Sequence, residues 1–305
     1  MSYKPLENAL NEFYQDARVG HTVQSKAEQT IKNIQATWRL FLQKNPIEYC
    51  DQVTEAAIRR FFAWGHTERK WTPMTNRSHR KNLSVFIRWA ITRNYIKKNP
   101  LFKIPKPRIM QRLPKHHTDK EIEAMFQGID MISKTNFEEA RSKGIIGVAA
   151  LAGLRRGELM NLWLHDINME SRQILVKAET SKSRKERYVP IVHRLHNFLD
   201  IYLKVRSEYA KPEENALWVS AVTGKRLSLY GLGYTVDKIS AAVGFRVKMH
   251  SLRHSYGTYT YAGCHDIKAV QENMGHSDLS TTMIYVNSTS EDKRHAAEMS
   301  PLNKV

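Results

Sequence analysis

The sequence predicts a mainly α-helical protein with two domains and a small β-sheet in the second domain. Apolar residues recur at helical spacing through the first hundred residues. A basic, proline-rich stretch follows at 99–117, and beyond it helical patterns alternate with short runs typical of strands. A chain of 305 residues is long enough to bury two cores, so these observations favour two domains over one.

The first hundred residues are predicted to form a helical domain. Ile31, Ile34, Trp38 and Leu42 share one face at helical spacing. A second amphipathic run begins after Thr54, whose hydroxyl suits the N-cap position of a helix.

The segment "TNRSHRKNLSVFIRWAITRNY" predicts a helix with an apolar stripe beside a basic one. The apolar stripe consists of Leu83, Phe86, Ile87 and Ala90, and the basic stripe of Arg77, Lys81, Ser84 and Arg88. A helix that follows DNA needs this pairing of faces, although an ordinary solvated charged face has the same pattern. The candidate DNA contacts on this segment are Arg77, Arg80 and Lys81.

The stretch "NPLFKIPKPRIMQRLPKHH" is predicted to be an interdomain linker. It contains four prolines, which block helix continuation and favour extended chain, and many cations. The predicted organisation is a helical domain at 1–104, a basic linker at 105–116 and a second domain at 117–305, with a tail from about residue 286.

The second domain is predicted to mix helices with short strands. Thr118 and Glu121 have the spacing of a capping box, and a long helix follows in "FEEARSKGIIGVAALAGL". The run "RQILVKAETSKSRKERYVPI" predicts two strands around a basic turn. Beyond it we expect a helix in "HRLHNFLDIYLKV", a strand in "ALWV" and a turn in "GLGYT" at 231.

Composition points to a polyanionic partner. Lysine and arginine number 48 against 30 acidic residues, which gives a formal charge of +18. A merely soluble basic protein is the simpler alternative. Two distant cysteines, Cys50 and Cys264, predict neither a disulfide framework nor a metal site, and they favour the cytoplasm. The longest near-apolar run, 144–154, is about half a membrane span, so no membrane role is expected.

The stretch "HSLRHSYGT" gathers His250, Arg253 and His254 on about one helical turn. Histidines four apart can bind zinc, but Ser251 stands where a zinc protease would carry its glutamate, and no third ligand is marked by spacing. The alternatives are a structural helix with surface histidines or a phosphate site, because the arginine fork fits phosphate oxygens. A helix that holds a phosphate cannot cleave it, so cleavage would need further groups from elsewhere in the chain. The candidates are Arg155, Glu158, Lys182, His276 and Tyr285.

Four motifs together resemble the phage-integrase family of tyrosine recombinases. They are "AGLRRGEL", "SKSRKERYVPI", "HSLRHSYGT" and "MGHSDLSTTMIY", which occur in the family's order between residues 152 and 285. The resemblance implies an N-terminal helical, SAM-like core-binding domain and a mixed α/β catalytic domain that form a C-shaped clamp around DNA.

The resemblance also implies a role for each candidate residue. Tyr285 would attack a DNA phosphate and form a 3′-phosphotyrosyl bond, with Arg155 and Arg253 clamping the non-bridging oxygens. His276 would bind the same oxygens, and His250 would take or relay the tyrosine proton. Lys182 would protonate the departing 5′-oxygen, with Lys185 as the alternative. Glu158 would hold Arg155 in place, and His254 would bond within the fold.

Such a site implies no metal and no other cofactor, because fixed cations offset the charge that develops on the phosphate. The expected partner is double-stranded DNA with inverted half-sites, bound by a homodimer on one site and a homotetramer in the synapse. Two alternatives share the fold: a type IB topoisomerase that relaxes supercoils, and a catalytically idle DNA-binding protein.

Overall fold

The computed structural model describes residues 4–20, 26–110, 115–181 and 185–286. The chain divides into two compact units, Met1–Gln111 and Arg112–Val305. The helices of the first unit are α1 (Leu6–Val19), α2 (Glu28–Lys44), α3 (Glu55–Thr67) and α4 (Pro73–Thr92). Those of the second are α5 (Asp119–Ile132), α6 (Asn136–Leu151), α7 (Arg156–Met160), α8 (His193–Arg206), α9 (Leu229–Val243), α10 (Met249–Cys264) and α11 (Ile267–Met274).

The first unit is helical because capped amphipathic segments bury one aromatic core. The hydroxyl of Thr54 accepts from the Ala57 backbone N–H at 3.3 Å, which confirms the predicted cap of α3. Large rings meet edge to face inside the unit, with 4.7 Å between the centroids of Trp38 and Phe86. This is the preferred geometry for aromatic pairs, and it fixes how α2 packs on α4.

The second unit contains a small antiparallel sheet in the order β1 (Ile167–Asn168), β2 (Gln173–Val176), β3 (Arg187–Pro190). The two predicted strands are β2 and β3, and Ile174 faces Val189 across them, both buried in the core. The fold class predicted from the sequence, mainly α with a small sheet in the second half, is confirmed.

Helices in the second unit begin directly after their capping residues. Thr118 and Glu121 form the predicted capping box at the start of α5. The predicted long helix is α6, which packs against α5, α8 and α10. The apolar run 144–151 explains why the second half of this helix is almost entirely buried.

Two predictions for this unit are wrong. The run "ALWV" is not a strand: Ala216 and Val219 form isolated bridges to Trp163 and Arg226. The run "GLGYT" is not a turn but part of α9, because the hydroxyl of Ser228 caps the helix by accepting from the Gly231 N–H at 3.0 Å. Burial of one apolar face of α9 outweighs the low helix propensity of its glycines.

Within the part of the chain that the structure describes, no helix is both long and apolar enough to span a membrane.

Candidate active site: arginines and histidines around Tyr285

A tight turn between α6 and α7 positions Arg155. Gly153 has a φ of +65°, and a Cβ at this residue would lie 2.3 Å from the ring of Tyr256, so only glycine fits. The turn places Arg155 at the N-cap of α7 and Glu158 in its first turn.

The carboxylate of Glu158 is the centre of an ion cluster. It is 1% exposed and accepts from the backbone N–H and the guanidinium of Arg155 at 2.9 and 2.8 Å. Arg187 binds both of its oxygens, at 3.2 and 2.8 Å, and Arg253 lies 3.8 Å away. Burial alone would raise the pKa of Glu158, but the bonds and charge of Arg187 and Arg155 outweigh it and hold the pKa below its ordinary value.

Arg187 was not among the residues predicted from the sequence. It lies at the start of β3, where strand alternation places it on the same face as the buried Val189. A cation on the inward face of a strand needs an acidic partner, but which face of β3 is inward is known only once β3 is paired with β2.

Three arginines bind three successive backbone carbonyls at the end of α11. Arg187 donates to Asn273 O at 2.9 Å, Arg253 to Met274 O at 2.6 Å and Arg155 to Gly275 O at 3.0 Å. The last carbonyls of a helix have no partners within the helix, and the macrodipole there favours cations. The arginines therefore fix the end of α11, and with it the start of the segment that carries His276 and Tyr285.

Arg253 is almost completely buried on α10. Its guanidinium also donates to Gly153 O, in the turn that precedes Arg155. Burial, and next the charge of Arg155, lower its pKa to about 9, so it remains protonated at neutral pH.

The hydroxyl of Tyr285 lies 2.8 Å from Nδ1 of His254. Nε2 of His254 in turn lies 2.9 Å from Nε2 of His250, so the two rings continue a chain of polar contacts away from the phenol. Tyr285 is 6% exposed, and burial raises its pKa to about 12 against the opposing charges of Arg253 and Arg155.

His276 also lies near the phenol. Its ring is nearly parallel to that of Tyr285, at 12° and 6.3 Å between centroids. Its Nδ1 contacts the hydroxyl of the buried Thr282 at 2.9 Å, which leaves Nε2 as its second polar atom. Burial, with the charges of Arg253 and Arg155 next, lowers the pKa of His276 to about 4, so the ring is neutral at pH 7.

The structure brings together Arg155, His250, Arg253, His276 and Tyr285, with Glu158 and His254 among them. The predicted Lys182 lies outside the described residues, and Lys185 is described and exposed.

The candidate DNA contacts of the first unit divide into two groups. Arg77 and Lys81 are exposed on α4, whereas a guanidinium N–H of Arg80 donates to Leu101 O at 2.9 Å. Arg80 therefore ties α4 to the chain beyond it, and Arg77 and Lys81 are the freer candidates.

Among the described residues, no group of three or more histidine, cysteine, aspartate or glutamate side chains is arranged to hold a metal ion.

Known proteins resemble this chain over almost its whole length. A tyrosine recombinase XerC of Haemophilus influenzae is 30% identical over 300 residues, which cover 95% of each chain. Two solved structures share the fold: XerH recombinase bound to a palindromic difH substrate, with a TM-score of 0.72 at 23% identity, and the Tn1549 transposon integrase with a circular intermediate DNA, with a TM-score of 0.75 at 20% identity. The match to XerH covers 95% of this chain and 83% of the XerH chain, and the match to the Tn1549 integrase covers 97% of this chain and 99% of the integrase chain.

The sequence model of the phage integrase family matches residues 116–292, more than half of the 305 residues, and includes every group of the arginine and histidine cluster. The chain therefore belongs to the phage integrase family.

Proposed function

We propose that this protein is a site-specific DNA recombinase that cuts and rejoins strands through a 3′-phosphotyrosine at Tyr285. One observation carries the proposal. The buried hydroxyl of Tyr285 contacts His254, whose other ring nitrogen contacts His250, and Arg155 and Arg253 lie within electrostatic reach of the phenol. Few chemistries need a phenol between bases and cations, and transfer of a phosphodiester to the phenol needs both.

The attack step follows from these contacts. Tyr285 loses its proton to the histidines and attacks phosphorus, while Arg155 and Arg253 offset the charge that builds on the non-bridging oxygens. His276 donates to the same oxygens from Nε2. The bond to the 5′-oxygen breaks, and Lys182 supplies the proton that this oxygen takes. A 5′-hydroxyl of the new strand reverses the sequence, so the bond energy is conserved.

DNA is the partner, and its phosphates face cations on both units. On α4 the exposed basic face consists of Arg77, Lys81 and Arg88. We propose that two copies bind inverted half-sites and that two such pairs form the synapse. Sedimentation with DNA carrying one or two half-sites tests this: a single copy on the two-half-site DNA at saturation would contradict it.

The test of the function uses a nicked suicide substrate, from which the short 5′-hydroxyl strand diffuses away and traps the covalent adduct. The wild-type protein should form adduct, and Tyr285→Phe should form none while binding the same DNA within about twofold, because the removed hydroxyl is buried and faces the cluster. An assay with two target sites should yield recombinants. Relaxation of supercoiled plasmid without recombinants would assign the chain to topoisomerase-like activity instead.

A further inference from the structure

We infer that His254 is a catalytic residue, which receives the proton of Tyr285 and passes charge to His250. The inference rests on the proposed function and deepens it, because it replaces a single histidine base with a two-histidine chain. From the sequence alone His254 was expected to bond within the fold, with His250 handling the proton.

The spacing of α10 creates the chain. His250 and His254 are one helical turn apart on one face, and their rings meet at 4.2 Å between centroids. One turn further along, the ring of Tyr285 lies against Gly257, where an added Cβ would come within 2.7 Å of the ring carbons. The same helix face therefore seats the nucleophile and aligns both imidazoles with it.

His254 stands between the nucleophile and His250. Its Nδ1 is 2.8 Å from the phenol oxygen and its Nε2 is 2.9 Å from Nε2 of His250. Both distances are those of good hydrogen bonds. Direct transfer from Tyr285 to His250 would require this contact between the histidines to break.

The contact between the two Nε2 atoms restricts where the protons can be. One of the two nitrogens must carry hydrogen and the other must be bare, so both rings cannot be charged at once. When Nε2 of His254 donates to His250, its Nδ1 is bare and accepts from the Tyr285 hydroxyl. If Nε2 of His250 donates instead, the hydrogen of neutral His254 is on Nδ1, which then donates to the phenol oxygen and cannot take its proton. Attack therefore proceeds from the arrangement in which Nε2 of His254 is the donor.

The proton balance is then closed. The O–H bond of Tyr285 breaks and an N–H bond forms at Nδ1 of His254. The proton on Nε2 of His254 moves to Nε2 of His250, which becomes an imidazolium with its other proton on Nδ1. The electron pair left on the phenol oxygen forms the bond to phosphorus, and the 5′-oxygen leaves with the P–O electron pair and takes a proton from Lys182.

Burial and nearby positive charges keep His250 and His254 neutral before DNA binds. Burial, then His250, Arg253 and His116, lower the pKa of His254 to about 4, and burial also lowers the pKa of His250. His276, from the segment that follows α11, is neutral for the same reason and lies within electrostatic reach of His254. A phosphodiester adds a negative charge to this cationic pocket and so favours an imidazolium, which couples proton transfer to substrate binding.

The first test is the rate of adduct formation on the suicide substrate by His254→Gln. Glutamine can accept a bond from the phenol but cannot relay a proton, so we expect a loss of about 100-fold at pH 7. Between pH 7 and 9 the rate of the variant should rise about tenfold per unit, because hydroxide must then remove the proton. If His254→Gln cleaved at the wild-type rate, with the same pH dependence as the wild type, the contact with Tyr285 would be structural only and the inference would be overturned.

A second substrate distinguishes whether His254 acts as a base for the proton of Tyr285 or as an acid for the leaving group. In a 5′-bridging phosphorothiolate, sulfur replaces the leaving oxygen and departs without a proton. The His254→Gln defect should persist on this substrate, since the phenol still has to lose its proton. Recovery of the wild-type rate on the phosphorothiolate would assign His254 to the leaving group and contradict the inference.

The matched control is His193→Gln, the same change at an exposed position at the start of α8, which should cleave like the wild type. Thermal melting of both variants detects misfolding. If His254→Gln melts early, His254→Asn, whose amide takes the position of Nδ1, must show the same pH slope or the inference fails. Failure of the wild-type protein itself to form adduct would refute the proposed function, whereas adduct without dependence on His254 would refute this inference alone.

Discussion

At the scale of single residues, Glu158 determines how the cations of the site are arranged. It is almost completely buried, and the guanidinium groups of Arg155 and Arg187 bond directly to it, with Arg253 close by. Three cations gathered without this carboxylate would repel one another in a medium that screens charge poorly. Glu158 therefore allows a dense positive site to exist before a phosphate arrives.

Glu158→Gln should lower the free energy of unfolding by about 3 kcal/mol, because it leaves buried arginine charge unpaired. Urea denaturation measures this. The control is Glu123→Gln, which breaks an exposed pair with Arg194 and should cost less than about 1 kcal/mol. Equal stability of the two variants would show that the cluster does not depend on the carboxylate.

The grouping of Arg155, His250, Arg253, His276 and Tyr285 could be predicted from the sequence because each carries a group that phosphate chemistry needs. Arg187 could not, since nothing in "KERYVP" says which of its cations turns inward until β3 is paired with β2. The contact of His254 with Tyr285 was hidden for a similar reason: sequence spacing places His254 on a helix face but does not say that Tyr285 meets that face.

At the scale of elements, α10 is bonded to two other segments of the chain. On one, Arg253 of α10 binds the Met274 carbonyl at the end of α11. On the other, Ser255 lies 2.8 Å from both the backbone N and O of His117, and the Tyr259 hydroxyl accepts from the Asp119 N–H. The chain entering α5 is therefore bonded to the helix that carries His250, Arg253 and His254.

Ser255→Ala should lower the free energy of unfolding by about 2 kcal/mol, because it strands a buried N–H and carbonyl of His117. Chemical denaturation checks this against Ser207→Ala, an exposed hydroxyl at the end of α8 whose loss should cost below about 0.5 kcal/mol. A cost for Ser255→Ala no greater than the control would mean that this attachment does not stabilise α10.

Elements with local signals were predictable and those set by tertiary packing were not. The caps at Thr54 and Thr118 lie in the sequence itself, and both helices begin where the caps indicate. In contrast, "ALWV" has strand composition but pairs only through single bridges, and the glycines of α9 are tolerated because the helix buries Leu232, Val236 and Ile239.

At the scale of the whole molecule, the formal charge of +18 sets how the protein meets DNA. A protein that neutralises phosphates releases counterions, so its affinity falls as salt rises. The sequence predicts this partner from composition, but it cannot say which cations touch phosphate, because that depends on the helix faces that remain exposed.

Removal of a phosphate contact should make the negative slope of log affinity against log salt concentration shallower by about 0.9. Arg77→Gln and Lys81→Gln, both exposed on α4, should each show this reduction in fluorescence anisotropy titrations. Lys44→Gln removes the same charge from a side chain that pairs with Glu68 and should leave the slope unchanged. Identical slopes for all three variants would place the DNA on another face of the unit.

Tyr285 is proposed to become esterified to the 3′ phosphate of a cut strand. Adduct trapped on a nicked substrate can be digested with protease and nuclease, and the modified peptide sequenced by mass spectrometry. We expect a nucleotide attached through its 3′ phosphate to the tyrosine of "TTMIYV", with a free 5′-hydroxyl on the released strand. Attachment to any other residue, or through a 5′ phosphate, would refute the proposed chemistry.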